Sequence, residues 1–283
     1  MVMAEDAAGN RSQFSPEAIA SIESHAKGMI AHYPFDDSAN DESENGFYLR
    51  LYGSLSYRNG VTDDSKCANI RNLLSCQLPY SALASDEFSV ALWFRVQAAQ
   101  NYKCLFSTGL SSSQALELYP YSSGSIELRT TNGEESCSLT APSPYTNEWH
   151  HIAIVVSEER AALYVNGSEA EEGDAELLRR LLPTDRPLTY LAADISHQNQ
   201  FAGFIDDMRI FNKALSPDEV TAIIAESSGI DDIFADGRET AAIEYYSPSG
   251  IRLSAPADNG ITIVKTIFSD GSSKVRKLLP VKK

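Results

Sequence analysis

The stretch "GFIDDMRIFNKALSPDEV", residues 203–220, alternates apolar and polar side chains and then opens into a helix start. With the two-residue period of a strand, Phe204, Met208 and Ile210 share one face. Asp206 falls on that same face, while Asp207 and Arg209 point the other way. An inward carboxylate is costly unless an N–H group or a metal ion pairs with it. The stretch therefore predicts a core-facing strand tied at Asp206 to another part of the chain. In the helix start, Ser216 is the cap, Pro217 takes the first helical position, and Glu219 completes a capping box.

On the N-terminal side of this strand, residues 29–212 read as short strands separated by polar turns. "MIAHYPF", "FSVALWFRV", "CLFSTG", "ALELYP", "SIELRT", "SCSLT", "WHHIAIVV", "AALYVNG" and "LTYLAAD" are rich in Val, Ile, Leu and aromatic residues. Their separators are "SANDESENG", "SSGS", "TNGEE" and "NGSEAEEGD". No strand–helix–strand alternation appears, so an all-β sandwich or jelly roll is predicted. Helices are few. "SPEAIASIESHAKG" predicts a short helix closed by Gly28, and "DAELLRRLLP" offers Leu177, Leu178, Leu181 and Leu182 as an apolar stripe stopped by Pro183.

The 283 residues, 43% hydrophobic and 9% aromatic, fit an ordinary globular chain. A formal charge of −16 argues against a nucleic-acid partner and suits divalent cations or neutral ligands such as glycans. The charge is uneven: residues 236–283 hold eight Lys/Arg and five Asp/Glu, a net of +3 against −19 for the rest. The tail is thus a separate compositional block. No stretch is long and apolar enough to span a bilayer, and the first residues lack the pattern of a signal peptide. Cys67, Cys76, Cys104 and Cys137 lack zinc spacing. If "ANIRNLLSC" is a hairpin turning at Arg71-Asn72, Cys67 and Cys76 face each other and could be bridged in an oxidising compartment. The alternative is four buried thiols acting as small hydrophobes.

Five stretches in order, "MIAHYPFDDSANDESENG", "FSVALWFRV", "NEWHHIAIVV", "AALYVNG" and "FAGFIDDMRIFNKALSPDEVTAI", closely resemble the laminin G-like, concanavalin A-like jelly-roll domains of bacterial surface proteins. The resemblance implies two antiparallel sheets packed face to face, one of them concave, over residues 29–228. It also implies a secreted, cell-surface setting. "VMAEDAAGNRSQFS", within residues 1–28, resembles the closing strand of a fibronectin type III repeat, which implies a piece of a longer protein. Residues 236–283 are similar to the C-terminal sorting modules of secreted bacterial proteins. Here "ITIVKTIF" and "KVRKLL" supply strands, and Ser249-Gly250, Asn259-Gly260 and Asp270-Gly271 supply turns.

Relatives of this superfamily include hydrolases. A glycosidase needs two carboxylates set across the scissile bond. "SIELRTTNGEES" offers Glu127, Glu134 and Glu135, but a turn interrupts it, and no GxSxG elbow is present. His150 and His151 alternate faces, so at most one is exposed. A non-catalytic module that binds a carbohydrate or surface glycoconjugate is therefore expected, with a structural or protein-adhesion module as the first alternative and a glycoside hydrolase whose site is assembled from distant positions as the second. Sugars need aromatic faces and polar groups for their hydroxyls. The loop candidates are Tyr119, Tyr121, Tyr145, His197 and Asn199. The resemblance further implies a structural calcium on the convex side. Asp206 is the matching ligand, and Asp36, Asp37, Asn40 and Asp41 are oxygen-bearing partners in "FDDSANDESENG". Calcium accepts six to eight oxygen ligands in irregular geometry. The alternative is that Asp206 accepts backbone N–H groups of that first loop.

Overall fold

The structure, a computed structural model of the chain, describes residues 28–227 apart from 44, 63, 72–73, 99, 143–146 and 171–172. It also describes 240–247, 250–253, 262–268 and 273–278. The strands begin with β1 (Met29–Tyr33), β2 (Arg50–Tyr52), β3 (Ser56–Asn59), β4 (Lys66–Ile70), β5 (Ser75–Gln77) and β6 (Phe88–Arg95). They continue with β7 (Phe106–Ser111), β8 (Gln114–Ser122), β9 (Ser125–Asn132), β10 (Glu135–Pro142), β11 (His150–Val156) and β12 (Ala161–Val165). Then come β13 (Ser168–Glu169), β14 (Leu188–Leu191) and β15 (Gly203–Phe211).

These form two antiparallel sheets, as the alternating short strands predict. The first has the order β13-β12-β11-β6-β15-β4-β3, with β1 also paired to β15; the second runs β10-β9-β8-β7-β14-β5-β2. Val90, Leu92, Phe94, Ile152 and Ile154 of the first sheet meet Phe106, Leu116, Leu118, Ile126 and Leu128 of the second in one buried cluster. Each such side chain, fully buried, stabilises the sandwich by about 1.5–3 kcal/mol.

Two short helices flank the sheets. Helix α1 (Ala175–Leu181) is capped by Asp174, whose side chain accepts the Leu177 N–H at 2.8 Å. It buries Leu178 and Leu181 and packs on β9, β10 and β12; Leu177, expected in the apolar stripe, is only half-buried. Helix α2 (Pro217–Ser227) has the expected capping box: Glu219 N–H donates to Ser216 Oγ at 3.2 Å, and Ser216 N–H donates to Glu219 Oε2 at 2.9 Å.

The chain divides into two compact units, Met1–Val220 and Thr221–Lys283. The second holds a four-stranded antiparallel sheet of β16 (Thr240–Tyr246), β17 (Arg252–Leu253), β18 (Thr262–Phe268) and β19 (Ser273–Leu278), in the order β17-β16-β18-β19. The two strands expected in the tail pair from Thr262↔Leu278 to Ile267↔Ser273. Gly250, with φ of 84°, makes the turn before β17. The other two expected turns, the N-terminal helix and the fibronectin-like segment lie outside the described residues.

Two expectations are corrected. "ANIRNLLSC" is not a hairpin: β4 pairs with β3 and β15 in the first sheet, whereas β5 pairs with β2 and β14 in the second. The segment carries the chain from one sheet to the other, so Cys67 and Cys76 belong to different sheets. All four cysteines are free. His150 and His151 are both buried, because the outward side of β11 is covered as well as its core side.

The second correction concerns Asp206. Strand β15 pairs Asp206 with Trp93 but Arg209 with Ala91, so Asp207 and Met208 together oppose the single residue Leu92. This is a β-bulge, and Asp207 takes a positive φ of 43° within it. One extra residue reverses the facing of everything before it. Ile205, Met208 and Ile210 enter the core, while Phe204 and Asp206 face outward.

Candidate functional site

Direct partners in antiparallel strands point to the same side of a sheet. The registers of the second sheet therefore define one outward row across its width: Arg50, Gln77, Tyr190, Ser107, Glu117, Arg129 and Ser138. The alternate residues Cys76, Leu191, Phe106, Leu116, Leu118 and Leu128 fill the core.

At the β2 end of the row, three rings gather. His197 lies 4.5 Å from Tyr52 and stacks on Tyr190 at 5.1 Å, centroid to centroid. The Arg50 guanidinium sits 5.1 Å from the centre of the Tyr52 ring, and the Tyr52 hydroxyl donates to Gln77 Oε1 at 2.7 Å. His197 Nε2 is held by Ser75 Oγ at 2.5 Å. Burial, with Tyr52 next, raises the Tyr190 pKa, and Arg50 opposes the rise.

His197 is positioned by the loop after β14. Asp194 Oδ1 accepts the N–H groups of Ser196 at 3.0 Å and Gln198 at 2.7 Å, and Oδ2 accepts Asn199 Nδ2 at 2.8 Å. Positive φ values at Ala192, His197 and Asn199 let the chain turn back over the sheet. Ser107 Oγ donates to the Ala193 carbonyl at 2.8 Å and anchors the loop there.

Toward β10 the row becomes a closed hydrogen-bond network. The Tyr119 hydroxyl donates to Glu117 Oε2 at 2.6 Å, and Arg129 Nη2 donates to that hydroxyl at 2.7 Å. Ser122 and Ser138 hydroxyls donate to the two oxygens of Glu127 at 2.6 and 2.7 Å. Both carboxylates are thus held by protein donors, an arrangement that braces three strands. Glu117 lies across the β8–β9 hairpin from Glu127, outside the "SIELRTTNGEES" run in which a pair was sought.

The expected sugar ligands separate accordingly. His197 is in the ring cluster and exposed Asn199 is in the loop that presents it. Tyr119 is on the same sheet face but only 4% exposed, with its hydroxyl engaged and Arg129 4.8 Å from its ring centre. Tyr121 is half-buried at the end of β8, and Tyr145 lies outside the described residues. Sequence reasoning missed Arg50, Tyr52 and Gln77 because β2 and β5 are three-residue strands with no visible period. Tyr190 was within reach: it sits beside core-facing Leu191 in "LTYLAAD", so strand parity sends it outward.

The expected calcium ligands also separate. Asp206, 3% exposed, accepts the N–H of Val61 at 2.8 Å and of Asp207 at 2.9 Å. Asp36 accepts the Lys66 N–H at 2.5 Å. Both carboxylates therefore grip the β3–β4 hairpin end, not each other's strands. Burial, aided by Asp207 and Asp36, raises the Asp206 pKa to about 7 against the pull of the two N–H bonds. Gly60 is packed over this point: a Cβ there would lie 2.5 Å from Asp206 Oδ2, 2.3 Å from Ser65 Oγ and 2.8 Å from the Lys66 carbonyl. The three oxygens therefore meet where only a glycine fits, which closes the hairpin end tightly against Asp206. Asp41 is already used, accepting N–H groups of His32, Ser43 and Phe47; burial would raise its pKa, but these bonds hold it low. Asp37 and Asn40 are exposed. Among the described residues, no three Asp, Glu, His or Cys side chains group closely enough to hold a metal alone.

The outward face of a two-sheet antiparallel sandwich is a lectin-like arrangement, and a family model agrees. Residues 74–221, just over half of the chain, match the family described as the concanavalin A-like lectin/glucanases superfamily. The chain belongs to that superfamily. No curated protein matches it in sequence. Among solved structures it is similar to domain 4 of AbnA, a GH43 extracellular arabinanase from Geobacillus stearothermophilus, in complex with arabinotriose. The TM-score is 0.58 at 21% identity, covering 70% of this chain and 99% of that one. It is also similar to the binding domain of Paraclostridial Mosquitocidal Protein 1 (TM-score 0.56, 16% identity, 85% of this chain and 64% of that one). The binding domain of botulinum neurotoxin serotype G matches with a TM-score of 0.55 at 14% identity, covering 84% and 72%. At these identities the likeness is one of fold.

Proposed function

We propose that the chain is a non-catalytic carbohydrate-binding module of a secreted, cell-surface protein, with its site on the outward face of the second sheet at Tyr52, Tyr190 and His197. The observation that carries this reading is the ring cluster itself. Three aromatic rings are clamped by Ser75 and Gln77 and bordered by unspent polar groups, as sugar recognition requires. The arabinotriose complex of AbnA domain 4 supports a glycan as ligand class. A glycan array probed with the full chain tests it. A retained saccharide should be lost by about tenfold or more in Tyr52→Ala, about 1.4 kcal/mol. Equal retention by Tyr52→Ala would remove the platform as the site.

Protein adhesion is the second reading, favoured by the exposed large apolar side chains Tyr48 and Leu51 in and before β2. Calcium, where bound, would be held by Asp206 and Asp36 with Ser65 and the Lys66 carbonyl, and would fasten the β3–β4 hairpin to β15. The four-stranded sheet after residue 240 would serve sorting or anchoring, and residues 1–28 would continue from a fibronectin type III repeat. Among the described residues no helix is long and apolar enough to cross a membrane.

A further inference from the structure

The three consecutive members of the outward row at the β2 end differ from the rest in what they leave unused. Arg50 is exposed and touches Tyr52 through its guanidinium face, and no carboxylate among the described residues pairs with it. Gln77 spends its amide oxygen on Tyr52, while its amide nitrogen has no partner among the described residues. The Tyr190 hydroxyl likewise has none. Guanidinium and amide nitrogens only donate, and a phenol readily does. Of the acceptors beside them, Gln77 Oε1 is engaged by Tyr52 and Asp194 by its own loop.

This end of the row therefore presents donors, with an exposed guanidinium that no carboxylate among the described residues neutralises. A neutral sugar makes no use of that charge. An oxyanion needs donors alone, and a guanidinium pre-set on a ring is shaped to take one with two parallel N–H bonds.

We infer that the platform takes an acidic saccharide, its ring against Tyr52 and His197 and its carboxylate or sulfate against Arg50 and the Gln77 amide nitrogen. This rests on the glycan-binding reading and narrows it. The test is a binding panel with the full chain. The probes are oligosaccharides of galacturonate, glucuronate and mannuronate, each as free acid and as methyl ester, with sulfated galacto-oligosaccharides and neutral arabino-, xylo- and galacto-oligosaccharides. At least one acidic probe should bind about tenfold or more tighter than its uncharged counterpart, a gap of about 1.4 kcal/mol. That preference should shrink in Arg50→Gln, persist in part in Arg50→Lys and weaken with salt. Which acidic probe is retained names the oxyanion. Esters or neutral sugars binding as well as the acids, or a preference unchanged in Arg50→Gln, would overturn the inference and leave the glycan reading standing. Binding of no saccharide at all would overturn both.

Discussion

His151 offers a sharp test of the first sheet's outward face. Its ring meets Trp93 edge-on at 5.3 Å, it is fully buried, and neither ring nitrogen has a hydrogen-bond partner among the described residues. Burial lowers its pKa from 6.5 to about 3; Asp207 opposes that fall and Arg209 adds to it. The folded state therefore keeps His151 neutral while the unfolded chain protonates near 6.5. This contribution to stability is complete above pH 6.5 and is lost as pH falls, at 1.36 kcal/mol per unit. Between pH 6.5 and 5 the loss is about 2 kcal/mol, or about 4–8 °C in melting temperature for a domain of this size. By pH 3 it reaches about 4 kcal/mol.

His151→Phe keeps the edge contact with Trp93 and removes two unpaired polar atoms, each costing about 1–3 kcal/mol where buried. Its midpoint at pH 7 should equal or exceed the wild type's, and its acid limb should be flatter. Asp206 works in the opposite direction. A carboxyl raised to about 7 favours the fold below its unfolded pKa, and that advantage fades as pH rises to 7. Comparing the two proteins at each pH cancels this shared effect. Thermal scans by circular dichroism from pH 4 to 8 supply the measurement. Parallel curves would refute the argument, and so would a His151→Phe protein that melts well below the wild type at pH 7.

Two further outcomes follow from burial and ligand chemistry. At pH 8 a thiol reagent should label the native protein at half-buried Cys137 alone, because burial raises Cys67 to about 11, Cys76 to about 12 and Cys104 above its usual value. In denaturant it should label all four, and fewer would mean a disulfide. Calcium at about 100 times its dissociation constant should add about 2.7 kcal/mol, or about 5–10 °C, to the midpoint. EDTA should reverse that gain, and Asp206→Asn should not show it; a wild type indifferent to EDTA and free of metal by elemental analysis would leave Asp206 as a hydrogen-bond acceptor only.

What the sequence made legible was what period and turn chemistry encode. The long strands such as "FSVALWFRV" and "HHIAIVV" announce themselves by composition, and Ser216-Pro217 with Glu219 announces the helix cap. The bulge at Asp206 and Asp207 was invisible because it is a fact about pairing: Leu92 faces two residues, and no local pattern in β15 records that. The same holds for "ANIRNLLSC", whose apolar ends suit a hairpin as well as a crossover between sheets. His197 was found as a loop residue, but its partners Tyr52 and Tyr190 are distant in sequence and meet only because β2, β5 and β14 are neighbours.

Tyrosine content alone does not locate a sugar site on this face. Tyr119 and Tyr52 both project outward from the second sheet, yet they stand in opposite states. Around Tyr119, Glu117 and Arg129 engage the hydroxyl, Ser122 and Ser138 engage Glu127 close by, and the ring is covered. A ligand there would have to break bonds that a low-dielectric setting strengthens. Around Tyr52, the internal bonds orient the rings and then stop, so exposed Arg50 and the amide nitrogen of half-buried Gln77 keep capacity unspent. The braced half costs little to keep rigid, because its polar groups are already paired. That rigidity reaches the open half through β7 and β14, which lie between the two in the sheet. A platform held this way loses little side-chain freedom when a ring settles on it, and preorganisation of that kind is what lets a shallow surface bind at all.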